Sequence, residues 1–188
     1  MSTGITEPTL HPSEGPGLRA LIPASELLLF CRDLRGTVVD AVVAAAGRAL
    51  LANAETAPAT REAGTGVGVA VDTGNGLLVP VVRNAADDPL PRVRTDVSRL
   101  VAAARTGTLA PTEIGGAAVT VCERARDVRA VAAEACTSGI LSLEWPGVDA
   151  LELTLFRGDG EPAVGGDGTG QFFATLVRLL RHPYRLLA

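Results

Sequence analysis

A chain of 188 residues, 47% of them hydrophobic, is long enough for one globular domain with a sizeable core. Its net charge of −4 argues against a nucleic-acid partner gripped through phosphates. There is no lysine anywhere in the chain, which excludes a lipoyl-lysine, a biotinyl-lysine or a Schiff-base lysine.

Met1 to Gly17 is rich in Pro, Gly, Ser and Thr and reads as a flexible tail. The domain is expected over 18–188. Leu27 to Cys31 (LLLFC) is an apolar patch that fits a strand or a short helix. Thr37 opens TVVDAVVAAAGRALLANA. Thr37 and Asp40 form a capping pair, and Val38, Val42, Ala45, Ala49 and Leu50 give a helical stripe. Gly47 inside that helix costs about 1 kcal/mol, which points to close packing.

Residues 68–83 read GVAVDTGNGLLVPVVR. Two β-rich runs flank the turn Asp72-Thr73-Gly74-Asn75-Gly76, so a hairpin is expected. Pro80 has no N–H to give to a ladder, which implies an edge or a bulge. A second amphipathic helix follows at about Pro91 to Arg105, stopped by Gly107. Residues 111–116 form a turn. Strands are expected at Ala117 to Cys122, Ile140 to Trp145 and Ala150 to Phe156. Arg124 to Glu134 reads as a charged, alanine-rich loop with a helical turn. Arg157 to Gly170 is a glycine-rich loop with acids, and Gln171 to Leu180 a closing amphipathic helix. Strands and helices are not evenly interleaved, so the class is α+β.

The three cysteines, Cys31, Cys122 and Cys136, lack metal-ligand spacing. Buried reduced thiols in a cytoplasmic protein are the expectation. No apolar run is long enough to span a membrane, and no signal-peptide layout is present.

The hairpin wording resembles GVAVxTxxGLxVPVxR of the catalytic domain of 2-oxoacid dehydrogenase acyltransferases, the dihydrolipoyl acyltransferase family. TVVDAVVAAAGRAL is similar to its TxNDxxxKAxAxAL helix. RTDVSRLVAAARTGTLAPTEIGGAAVTVC is similar to its next helix, turn and FTISN strand. QFFATLVRLLRHPYRLL is similar to its closing helix. The resemblance runs over residues 37–187. It implies a chloramphenicol-acetyltransferase-like mixed sheet packed against helices, forming trimers with active sites at subunit interfaces, and trimers that stack into cages in full complexes. Neither a lipoyl domain nor a subunit-binding domain is expected here.

The family's base is the histidine of a DHRxxDG motif before the last helix. The matching stretch here, LTLFRGDGEPAVGGDGTGQFF, has none. The histidine position falls on Asp159 counted from the strand and on Glu161 counted from the helix. Either is a candidate carboxylate base, provided burial raises its pKa; the alternative is a solvated loop. Cys122 stands at the family's oxyanion serine or threonine, as a nucleophile or as a small buried hydrophobe. His11 and His182, the remaining histidines, read as structural.

Three functions follow as expectations. The first is a stand-alone acyltransferase-like enzyme of specialised small-molecule metabolism, with no covalently bound cofactor and a coenzyme A or carrier-linked thioester as substrate. The second is a non-catalytic subunit that co-assembles with an active homologue. The third is a repurposed fold catalysing cyclisation or elimination. Partners are a small molecule and further copies or homologues of the chain.

Overall fold

Burial alternates along the first and the last strand of the sheet in chain order, and the chain sorts into two layers on either side of it. A computed structural model describes residues 17–55, 64–123, 128–135, 137–161, 163 and 168–187. The expected tail, apart from Gly17, therefore lies outside the described residues, as do Cys136 and parts of the loops at 124–127 and 164–167. Six strands form the main sheet: β1 (Leu18–Pro23), β2 (Val67–Val69), β5 (Val81–Val82), β6 (Val119–Glu123), β7 (Gly139–Glu144) and β8 (Ala150–Arg157). Their order is β1-β8-β7-β6-β2-β5. The β2–β6 and β6–β7 pairs are parallel and the others antiparallel. The α+β class and the mixed sheet are as the sequence led one to expect.

One face of the sheet carries the main core. Ile22, Val119, Val121, Leu141, Leu143, Leu151, Leu153 and Leu155 project onto it. Against them pack α1 (Ala24–Asp33), α2 (Val38–Ala52), α3 (Leu90–Thr106) and α5 (Thr169–Arg181). The LLLFC patch thus lies in a helix. β1 before it has no counterpart in the expected elements.

Thr37 caps α2 as its spacing implies. Asp40 N–H donates to Thr37 Oγ1 at 3.2 Å, and Thr37 N–H to Asp40 Oδ2 at 2.7 Å, a reciprocal capping box. Gly47 meets the strand-to-helix connection: a Cβ there would lie 2.5 Å from the carbonyl carbon of Ala85 and 2.6 Å from the nitrogen of Ala86.

The expected hairpin is present but divided. Its base, β2 and β5, belongs to the main sheet. Its tip forms a separate two-stranded sheet of β3 (Val71–Asp72) and β4 (Leu77–Leu78). The break falls at Ala70, whose N–H goes to Val121 O, and at Pro80, which has no N–H to give, still accepts the Val69 N–H on its carbonyl at 2.9 Å, and bridges Ile114 on its other side. β5 is the edge that Pro80 implied. Arg83 closes the unit by donating to the carbonyls of Thr112, Gly115 and Gly116.

The opposite face is covered by less. α4 (Val128–Ala135) lies across it with the hairpin tip beside it. Val131 and Ala135 pack with Val79, Cys122 and Ile140 into a small second core.

Candidate functional site

β8 ends at Arg157 and turns back at once through residues 158–161. Gly158 is required there: its N–H donates to Ser138 O, and a Cβ would lie 1.9 Å from Thr137 O. Gly160 supplies the positive φ of +83°. This turn presents the two candidate carboxylates, and both face water.

Asp159 pairs with the guanidinium of Arg157 and accepts the N–H of Glu161 at 3.0 Å. The hydrogen bond from Arg157 is the main cause that holds the Asp159 carboxyl below the usual carboxylate range, helped by the Glu161 N–H. Glu161 Oε1 accepts from Arg129 Nη2 of α4 at 3.3 Å. A general base near neutral pH needs the opposite of what Asp159 has: desolvation that raises its pKa and a free lone pair aimed at substrate.

Cys122 sits elsewhere. It lies on β6 opposite Ser142 of β7, is 3% exposed, and packs among Val79, Val131, Ala135 and Ile140. Arg157 is level with Gly139, and Gly139 with Val119. Cys122 is three residues further along β6, about 10 Å in strand rise. The three candidates therefore do not form one constellation. His182, at the C-terminal end of α5, is exposed. His11 lies outside the described residues.

Two openings flank the sheet. An apolar cleft of about 150 Å³ opens at the strand ends, lined by Leu50, Val119, Gly139, Leu155, Arg157 and Phe172 among others. A wider groove of about 610 Å³ runs between α2, α3 and the ends of β2 and β6, with Asp72, Arg105 and Glu123 at its rim. Among the described residues no three His, Cys, Asp or Glu side chains come together to hold a metal, and no helix is long and apolar enough to cross a membrane.

Residues that the sequence did not single out complete the picture. Thr120 and Ser142 are buried beside Cys122 on the α4 face with no hydrogen-bond partner for their hydroxyls. The one sequence signal is parity: Thr120 stands two residues from Cys122, hence on its face. Arg129 is the partner of Glu161, and nothing in its spacing announced that.

Residues 33–125 match the family model for the catalytic domain of 2-oxoacid dehydrogenases acyltransferase. Over that segment the chain is similar to the 2-oxoacid dehydrogenase acyltransferases. A 55-residue stretch is 44% identical to the dihydrolipoyllysine-residue acetyltransferase component of the Bacillus subtilis pyruvate dehydrogenase complex; it covers 29% of this chain and 12% of that protein. The dihydrolipoamide acetyltransferase of Azotobacter vinelandii superposes with a TM-score of 0.68 at 21% identity, over 90% of this chain and 82% of that one. A serine, a histidine and an asparagine have been studied in that enzyme's catalytic mechanism. The cubic core of a pyruvate dehydrogenase multienzyme complex superposes with a TM-score of 0.63, 21% identity and the same coverages.

The acyltransferase-family match stops at residue 125. It takes in α2, the divided hairpin, α3 and β6, and leaves out the turn at 158–161. The fold is shared with the acetyltransferase cores above, while the carboxylate turn falls outside the matched segment.

Proposed function

We propose that this acyltransferase-family domain handles an acyl group carried on coenzyme A or a carrier protein in small-molecule metabolism, as a subunit whose acceptor-activating base comes from a homologous chain. The carrying observation is the turn after β8. At the family's base position it bears carboxylates that are exposed and bound to arginines: Asp159 to Arg157, Glu161 to Arg129. An ionised, solvated carboxylate is a poor base for a thiol or hydroxyl at neutral pH. Help from a neighbour is in keeping with a related core that is a cubic assembly. The wide groove beside α2 and α3, about 610 Å³, is within the range of small-molecule sites.

The test pairs two measurements. Native mass spectrometry follows this chain mixed with a histidine-bearing homologue from the same genome. Release of free coenzyme A from acetyl-CoA, with hydroxylated acceptors, is followed for each chain and for the mixture. A mixed oligomer that turns over, beside an inactive chain alone, is the expected result. Turnover by this chain alone, lost in the Asp159→Asn/Glu161→Gln double variant, would instead establish a stand-alone transferase with a carboxylate base.

A further inference from the structure

The main core face of the sheet has a position in β7 without a side chain. Gly139 opens that strand and pairs with Val119 of β6 on one side and Arg157 of β8 on the other. Strand alternation puts it on the face of Leu141 and Leu143, which lie in the main core. Glycine weakens a strand and often marks a place where something else must come close. Neither the backbone nor crowding requires it here. Its φ is not positive. A Cβ would meet Phe156 O at 3.5 Å, Leu155 Cδ1 at 3.6 Å and Val119 Cγ2 at 3.7 Å, all ordinary van der Waals contacts, unlike Gly47 and Gly158, where a Cβ would strike backbone. What the missing side chain leaves open belongs to the apolar cleft of about 150 Å³.

Leu50, Val119, Leu155 and Phe172 line the cleft and are buried, while Ser138 and Arg157 line it and are exposed. The exposed pair marks the mouth, and the hydrogen bond from Gly158 N–H to Ser138 O keeps that mouth beside the turn after β8. Apolar cavities of roughly this volume take up six-carbon molecules such as benzene. Among the described lining residues Arg157 is the one charged group, and its guanidinium is already paired with Asp159. A free carboxylate at the mouth would have to displace that partner, whereas an uncharged head would not.

We infer that the cleft at Gly139 seats the alkyl tail of a neutral acyl thioester, about six carbons long, with the thioester left at the mouth by Ser138 and Arg157. The choice of an acyl group rests on the acyl-handling reading above. The tail length comes from the cleft itself, and Gly139 sets it.

Isothermal titration calorimetry of the full chain with S-acyl-N-acetylcysteamine thioesters, from acetyl to decanoyl, reads that length. Affinity should rise about fourfold per carbon up to about six carbons, then level off or fall. Gly139→Val puts two γ-carbons into the cleft and should weaken hexanoyl binding about tenfold or more, and butanoyl binding less than about threefold. Gly139→Ala should shift the limit toward shorter chains. Phe172→Leu trims the helix-side wall and should shift it toward longer ones, which decides the matter if the glycine variants fail to fold. Sodium hexanoate is titrated alongside, and tighter binding of hexanoate than of the hexanoyl thioester would overturn the thioester assignment. The proposal also fails if affinity ignores chain length, if it climbs steadily through decanoyl as on any apolar surface, or if it is unchanged in a Gly139→Val chain of wild-type Tm. These titrations contain neither acceptor nor homologous chain. Their failure leaves the subunit reading standing, and an inactive mixture leaves the length limit standing.

Discussion

Gly47 shows how little room a single position leaves. The atoms facing it, the carbonyl carbon of Ala85 and the nitrogen of Ala86, are backbone and cannot rotate away. Alanine is the better helix former by about 1 kcal/mol, yet Gly47→Ala should lower stability by about 1–3 kcal/mol through overpacking, measurable in urea unfolding. Cys31 gives a pH test. Burial first, and the charge of Asp40 second, push its thiol up to about 11 from an ordinary 9.0. The folded state thus keeps a proton that the unfolded chain loses first. Its contribution is complete below pH 9.0 and is lost as pH rises through about 11. Unfolding curves across that window should fall more steeply for the wild type than for Cys31→Ala. Single residues were unevenly legible. The close packing at Gly47 was readable because glycine in a helix is costly, whereas its partner was not, since contacts between distant segments leave no periodic trace. Asp159 and Glu161 were readable as candidates only by alignment. Their exposure and their arginines depend on a turn whose shape is set by Gly158 and Gly160 together with Ser138, just before the neighbouring strand.

Elements held together by neighbours in sequence were the legible ones. The α2 capping box closes within three residues, so Thr37 and Asp40 announced it. Thr37→Ala should cost about 0.5–2 kcal/mol, read as a lower Tm with a helical circular-dichroism signal that melts earlier. The hairpin was equally plain in outline, because Asn75-Gly76 and the flanking valines are local signals. Its division into two sheets was not, because Ala70 leaves the ladder for Val121 O and Pro80 bridges Ile114, and both partners are more than thirty residues away. β1 escaped notice for the same reason: its ladder partner is β8, at the far end of the domain. α4 read as a loop with a helical turn because its apolar face is two valines and two alanines, a weak stripe in a charged segment.

On the scale of the whole molecule, the apolar positions of β7 and β8 and of the helices predicted one shared core, and Phe173 lies within it at 0% exposure. Phe173→Ala should cost about 3–5 kcal/mol, a large part of the 5–15 kcal/mol typical of a domain, with the denaturation midpoint as the readout. The asymmetry between the faces was invisible in the pattern. Thr120, Cys122, Ser142 and Thr154 alternate with apolar residues as any outward-facing set would, and the placement of α4 together with the hairpin makes three of them interior. The strand order has one further consequence, for synthesis. Leu18 of β1 pairs with Leu155 of β8. On a ribosome adding about 5–20 residues per second, the first strand waits on the order of ten seconds for its partner. During that interval Ala20 and Ile22 have no sheet to join, and nascent chains of this protein are open to capture by chaperones at β1.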